Sequence, residues 1–261
     1  MPRGAVVFGA ALAICLIAGS PPRIVGDGGE YLAQAINFES FHKPSLRPPD
    51  IPAIQQRIAA FDPALDKWDI LQATVAGSDR RRDFLHFWFY ALLATPPLWI
   101  ADAVGVPPTF AFAAVNLALF LLALSIALPR IGPAASVLLF AGPIIWWLDK
   151  AHTEVFTFAL LTIAFALARE RPWWSMVAAG AASTQNPPIA ILVPLFLGAT
   201  LATHGRRGVS RHVLAGAAAG LALALLHPVY TYVRHGTPSL LLYATRSDTA
   251  RPAEQIGRAH V

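Results

Sequence analysis

Residues 109–128 read TFAFAAVNLALFLLALSIAL, twenty positions without a charge. A helix of that length rises about 30 Å, the thickness of a bilayer's hydrocarbon core. Working outward, the same character recurs at 133–148, 155–168, 173–183, 188–202 and 213–233 on one side, and at 84–104 and 5–18 on the other. Arg130, Arg169-Glu170-Arg171 and His204-Gly205-Arg206-Arg207 punctuate these runs. The expected fold class is all-α: a polytopic transmembrane helical bundle of about seven spans, with a large external first loop.

Composition agrees. The 261 residues are 56% hydrophobic and 13% charged, against about 25% charged in a soluble globular domain. Mean hydropathy is +0.52, so an integral membrane protein is expected. The net charge of +5 comes from Arg residues scattered between apolar runs. That scatter fits a positive-inside bias and contact with the lipid bilayer, so no nucleic acid partner is expected. Cys15 is alone, which rules out a disulfide framework and a zinc constellation built on cysteine.

Residues 1–20 are expected to form a first transmembrane helix acting as a signal-anchor, or a cleaved signal peptide. In either case Asp27 follows on the outer face. Residues 21–83 read as the external loop, polar and Pro-rich from 39 onward, with short amphipathic helices at 54–61 and 65–75. Its acids Asp50, Asp62, Asp66, Asp69, Asp79 and Asp83 read mostly as solvated. Residues 84–255 read as the multi-span membrane domain. If 84–104 lies along the outer leaflet, then 109–128 runs inward, Arg130 is cytoplasmic and 133–148 returns. The Arg clusters then fall inside, and residues 149–154 and 184–187 fall outside beside Asp27. If 84–104 crosses, every later side flips. The charge bias favours the first arrangement.

Two acidic clusters carry the candidate chemistry. In Gly26-Asp27-Gly28-Gly29-Glu30-Tyr31 the glycines let the backbone bend, and Glu30 falls on the face of Asp27 if a helix begins there. From spacing alone these are equally well loop acids. A carboxylate at the bilayer edge is also placed to act as a general base toward an acceptor hydroxyl, with partial desolvation raising its pKa. The second cluster is Asp149-Lys150-Ala151-His152-Thr153-Glu154. It reads as a solvated turn, as a phosphate-binding site using Lys150 and His152, or as a metal site of Asp149, His152 and Glu154. Arg81, within Arg80-Arg81-Arg82, is a further candidate for meeting a phosphate. His86 and Tyr90 share a helical face and either line the site or pack. Gln185-Asn186, costly inside lipid, reads as a polar outer turn or a substrate contact. Trp146-Trp147 and Trp173-Trp174 suit interfacial belts.

At these residues the chain resembles the C-type glycosyltransferase superfamily, which includes protein O-mannosyltransferases and aminoarabinose transferases. The resemblance covers roughly the first 190 residues. It rests on Gly26-Asp27-Gly28-Gly29-Glu30-Tyr31-Leu32 after a short first helix, on the aromatic stretch from Phe84 with Pro96-Pro97, and on the acidic turn opening at Asp149. It implies an inverting transfer from a polyprenyl-phosphate sugar donor to a glycan, lipid or protein acceptor. The transfer would occur on the external face of a bacterial inner or plasma membrane. Asp27 matches the family's acid. The family often places its second acid directly after the first, where this chain has Gly28, so Glu30 or a later loop acid takes that role. A divalent metal is left open as a cofactor. The rival expectation is a transporter or flippase, which would show two related halves with interrupted helices; no stretch of this chain repeats. Residues 256–261, Ile256-Gly257-Arg258-Ala259-His260-Val261, read as a translated sequencing adapter, so a truncated gene model is expected.

Overall fold

The computed structural model describes residues 22–61, 68–77, 79–205 and 210–240. The expectations for 1–20 and 256–261, and for Asp62, Asp66, Arg206 and Arg207, lie outside the described residues. Among the described residues the chain is mostly helical, with eight α-helices and one short antiparallel hairpin.

The segment expected as a loop has a core of its own. Helices α1 (Gly28–Phe41) and α2 (Ile51–Phe61) bury Leu32, Ile36, Ile54 and Ile58 together with Ile70. These join Ala91, Ala94 and Leu98 of α3 (Phe89–Val104) in one apolar cluster. The helix expected at 54–61 is present as α2. The one expected at 65–75 is replaced, over its described part, by a single 3-10 turn (Ile70–Ala73) and a strand. Asp69 holds that turn by accepting from Leu71 N at 2.8 Å. The β-branched Thr74 and Val75 then favour extended backbone, and β1 (Thr74–Ala76) pairs with β2 (Arg82–Phe84).

Helix α4 (Thr109–Phe140) breaks at Gly132, whose φ of 81° and ψ of 166° are not helical. Glycine tolerates that conformation, and it turns the chain sharply after Ile131. The run expected as a span at 133–148 is therefore a short helical return to Phe140 followed by a 3-10 turn, Pro143–Trp147. Helices α5 (Glu154–Leu167), α6 (Pro172–Ser183), α7 (Leu192–His204) and α8 (Arg211–His235) complete the order. By length and composition, α4 and α8 can cross a membrane; α3, α5 and the segment Pro187–Thr203 are apolar but shorter. These two helices suggest a membrane protein.

The straight part of α4 passes through two cores. Ala111, Phe112 and Val115 belong to the cluster shared with α1 to α3. Phe120, Ala123, Leu124, Ala127 and Leu128 belong to a second cluster with α5 to α8. Its distal end meets the end of α5, where Arg130 Nη2 lies 2.9 Å from Glu170 Oε2. Helix α3 runs the opposite way. It starts beside α5, with the Phe89 and Phe156 rings 6.2 Å apart, and ends where Asp102 is bridged through Arg57 to Glu39 of α1. The α3 terminus therefore stays with the first cluster, away from Arg130.

Helices α6 and α8 touch backbone to backbone. A Cβ on Gly180 would sit 2.1 Å from the Gly220 carbonyl oxygen, and one on Gly220 would sit 2.4 Å from that of Met176. Small residues permitting such approach are a recurring device in membrane helix pairs. The molecule thus has two ends: one gathers residues 23–30, 86, 149–154, 185–186 and the C-terminus of α8, and the other gathers Arg130 and Glu170.

Candidate active site

The stretch before α1 is laid against residues 149–151. Arg23 N donates to the Asp149 carbonyl at 2.8 Å and Ala151 N to the Arg23 carbonyl at 3.4 Å. Gly26 takes a positive φ of 51°. Gly28 approaches the Ala151 carbonyl so closely that a Cβ would lie 2.9 Å from its oxygen. These contacts bring together the two acidic clusters singled out in the sequence.

Asp27 occupies the N-cap position of α1, yet its side chain makes no cap hydrogen bond. Its backbone carbonyl instead accepts from Glu30 N at 3.0 Å and Tyr31 N at 3.2 Å. The carboxylate is 48% exposed and lies 3.4 Å from His86 Nε2. A half-exposed carboxylate with no capping duty is available for proton transfer.

Glu30 is its opposite, only 4% exposed. One oxygen accepts from His86 N at 2.6 Å, and the other lies 2.9 Å from His86 Nδ1. Burial pushes the Glu30 carboxyl up, and the hydrogen bond and charge of His86 pull part of that back. Burial lowers His86, but the Glu30 hydrogen bond and the charges of Glu30 and Asp27 outweigh it, so the ring is held above its usual range. A buried carboxylate orienting one imidazole nitrogen while the other faces the working group is the logic of relayed acid–base sites.

Lys150 is fully buried. Its ammonium donates to Asp149 Oδ1 at 2.7 Å and to the Trp146 carbonyl, and lies 3.6 Å from the Trp146 ring centroid. Asp149 also takes Arg23, at 3.0 Å. Both residues are thereby engaged in fastening the turn to Arg23. His152 lies tilted against Trp147, with ring centroids 4.7 Å apart, and near Asp27; burial lowers its pKa, with Glu154 and Asp27 opposing. Glu154 is half-exposed, 3.9 Å from His152 Nδ1.

Gln185 donates to the Phe87 carbonyl at 3.0 Å and Asn186 to Thr157 Oγ1 at 2.7 Å, which puts both at the Asp27 end of the molecule. Tyr90 is buried, donating to Asn116 Oδ1 at 2.8 Å. Arg81 sits on the hairpin turn, 3.6 Å from Asp79, and no described contact brings it to Asp27.

Three groups of functional interest fell outside the sequence reading. Asn116 donates to the Lys150 carbonyl at 2.8 Å; a polar residue in the middle of an uncharged run was the available signal. Gln34 donates to the His86 carbonyl at 2.8 Å. Asp83, read as solvated, is 2% exposed and receives Tyr230 Oη at 2.6 Å, His235 Nε2 at 2.8 Å and Arg234 Nε, which pins the end of α8 to β2.

Among the described residues, Asp27, Glu30 and His86 form the group able to offer three ligand atoms within 4.8 Å of one another. Two carboxylates and an imidazole are a donor set that divalent transition ions accept. The alternative set of Asp149, His152 and Glu154 is weakened by the two cations that already hold Asp149. No protein-family model, curated protein or solved structure matches the chain.

Proposed function

We propose that the chain is a membrane glycosyltransferase of the C-type kind, moving a sugar from a polyprenyl-phosphate donor to an acceptor hydroxyl with inversion. The observation that carries this reading is the half-exposed Asp27 carboxylate set 3.4 Å from a His86 ring that the buried Glu30 orients. In this mechanism Asp27 takes the proton as the acceptor oxygen attacks the anomeric carbon, and the phosphate leaves with the bonding electrons. His86 holds the Asp27 carboxylate in place. The half-exposed Arg23 and the partly buried His152 are the groups at this end suited to meet the leaving phosphate.

Membrane placement follows the charge pattern. Arg130 lies at the end opposite Asp27, with exposed Arg169 and Arg171 flanking its partner Glu170. The positive-inside bias assigns that end to the cytoplasm, and so Asp27 to the external face. The ion pairs that tie the end of α3 to Arg57 and Glu39 support a reading in which α3 lies with the external part rather than crossing. The test is transfer of labelled sugar from polyprenyl-phosphate donors by membranes carrying the wild-type chain or Asp27→Asn at equal expression. Transfer by the wild type alone supports the reading; equal transfer removes Asp27 from the chemistry.

A further inference from the structure

Behind the Glu30–His86 pair lies a small cavity of about 10 Å³, lined among others by Gln34, Asp83, His86, Trp88, His227 and Tyr230. Three of these side chains have a buried polar atom with no hydrogen-bond partner: Gln34 Oε1, Trp88 Nε1 and His227 Nδ1. Gln34 is 0% exposed and His227 3%. Buried orphans are uncommon, and three on residues that line one cavity from three different elements call for an occupant.

The chemistry of that occupant is constrained. Gln34 Nε2 donates to the His86 carbonyl, an acceptor only, which fixes the amide and leaves Oε1 as an unpartnered acceptor. His227 Nδ1 has no partner, and an imidazole nitrogen offers a lone pair or an N–H according to its tautomer. Trp88 Nε1 is a donor only. An anion would face the Gln34 lone pairs, and a cation would face the Trp88 N–H. Asp83 offers little more, since Tyr230, Arg234 and His235 already engage its oxygens. A neutral hydroxyl oxygen fits: it accepts from Trp88 and donates to Gln34 or His227, and a water does both at once. The volume suits one such oxygen, since a water needs about 10–15 Å³.

We propose that this cavity is a binding site for a single neutral hydroxyl oxygen, supplied by water or by a polyol. The inference stands apart from the sugar-transfer reading. Its occupant bridges α1, the segment entering α3, and α8. Through Gln34, which donates to His86 and reaches Glu30 at 3.5 Å, it braces the acid–imidazole pair from behind.

The experiment is a high-resolution structure of the whole chain in detergent, without polyols and again with glycerol. An oxygen about 2.7–3.2 Å from Trp88 Nε1 and from Gln34 Oε1 or His227 Nδ1 supports the proposal. Present without glycerol, it is water; present with glycerol alone, the site takes a polyol hydroxyl. A cavity without an oxygen in both structures, or an ion with no donor contact to Gln34 or His227, overturns it. Trp88→Phe keeps most of the ring and removes the donor. The oxygen should be lost or displaced, and its persistence unmoved would overturn the assignment of Trp88.

Discussion

Glu30 Oε2 lies 2.9 Å from His86 Nδ1, a contact made across 56 residues of chain. It joins the first turn of α1 to the entrance of α3 and aims the other imidazole nitrogen at Asp27. On the proposed function the two acids have separate work, and their isosteric variants should differ. Asp27→Asn removes the proton acceptor and is expected to lower transfer about 10²–10⁴-fold with substrate affinity little changed. Glu30→Gln leaves Asp27 in place and should lower transfer less, while moving the pH profile because the imidazole loses its charged partner. Initial rates across pH for both variants decide this; identical profiles would show that Glu30 does not act through His86.

The same pair makes stability depend on pH. His86 is held above 6.5 in the folded chain, so its stabilisation is fully present below 6.5 and lost as pH rises through the raised value. Burial raises Glu30 above 4.5, which adds a loss of the same sign between 4.5 and that higher value. The thermal midpoint should fall as pH is taken from about 6 to about 9, and His86→Asn should flatten the curve. Midpoints for both proteins in one detergent give the answer, and parallel curves would remove His86 as the cause.

Much of this arrangement could be read from the chain, for identifiable reasons. Charge-free runs mark helices α4 and α8 whatever their partners, and the glycines around Asp27 read as a bend, where Gly28 also makes a tight approach to Ala151. Counting sides, with 84–104 taken not to cross, put residues 149–154 on the side of Asp27, and the backbone pairing of Arg23 with Asp149 and Ala151 brings the two stretches into contact. What stayed hidden depends on pairing across the fold. That 21–83 packs a core was masked by its prolines and charges, because the burial of Ile54 and Ile58 needs α1 and α3 beside them. Lys150 looked like a free cation because its neighbours Asp149 and Trp146 neutralise it only once the turn closes.

The direction of α3 is open to a labelling test. Val104 is 65% exposed at its end, and Asn186 is exposed at the site. In a Cys15→Ser background, Val104→Cys and Asn186→Cys should both react with an impermeant maleimide on intact cells. Arg169→Cys should react only after permeabilisation. Labelling of Val104→Cys together with Arg169→Cys would mean that α3 crosses the membrane.

Close helix contact makes the same substitution act oppositely at two glycines. Gly220→Ala drives a methyl to 2.4 Å from the Met176 carbonyl oxygen, and overpacking of this kind costs about 1–3 kcal/mol. Gly198, on α7, has nothing within 4 Å of its would-be Cβ. Gly198→Ala should therefore be neutral or stabilise by up to about 1 kcal/mol through helix propensity. Thermal midpoints of the two variants should move apart; equal shifts would argue against the tight α6–α8 crossing.

Asn116 is the polar hinge between α4 and the site. It is fully buried, accepts from Tyr90 Oη and donates to the Lys150 carbonyl. Asn116→Leu keeps the approximate volume but leaves the Tyr90 hydroxyl without its acceptor, a loss of about 1–3 kcal/mol when buried, and leaves the Lys150 carbonyl with His152 N as its donor. Asn116→Asp, held neutral by burial, retains the acceptor for Tyr90 and one O–H donor in place of the amide's two N–H groups, so it should fall between leucine and wild type in stability. Because the Lys150 carbonyl belongs to the turn that meets Arg23 and Gly28, both variants should also weaken transfer, with leucine the worse. A stable Asn116→Leu protein with unchanged transfer would show that the turn is held without Asn116, by the Arg23–Asp149 contacts alone.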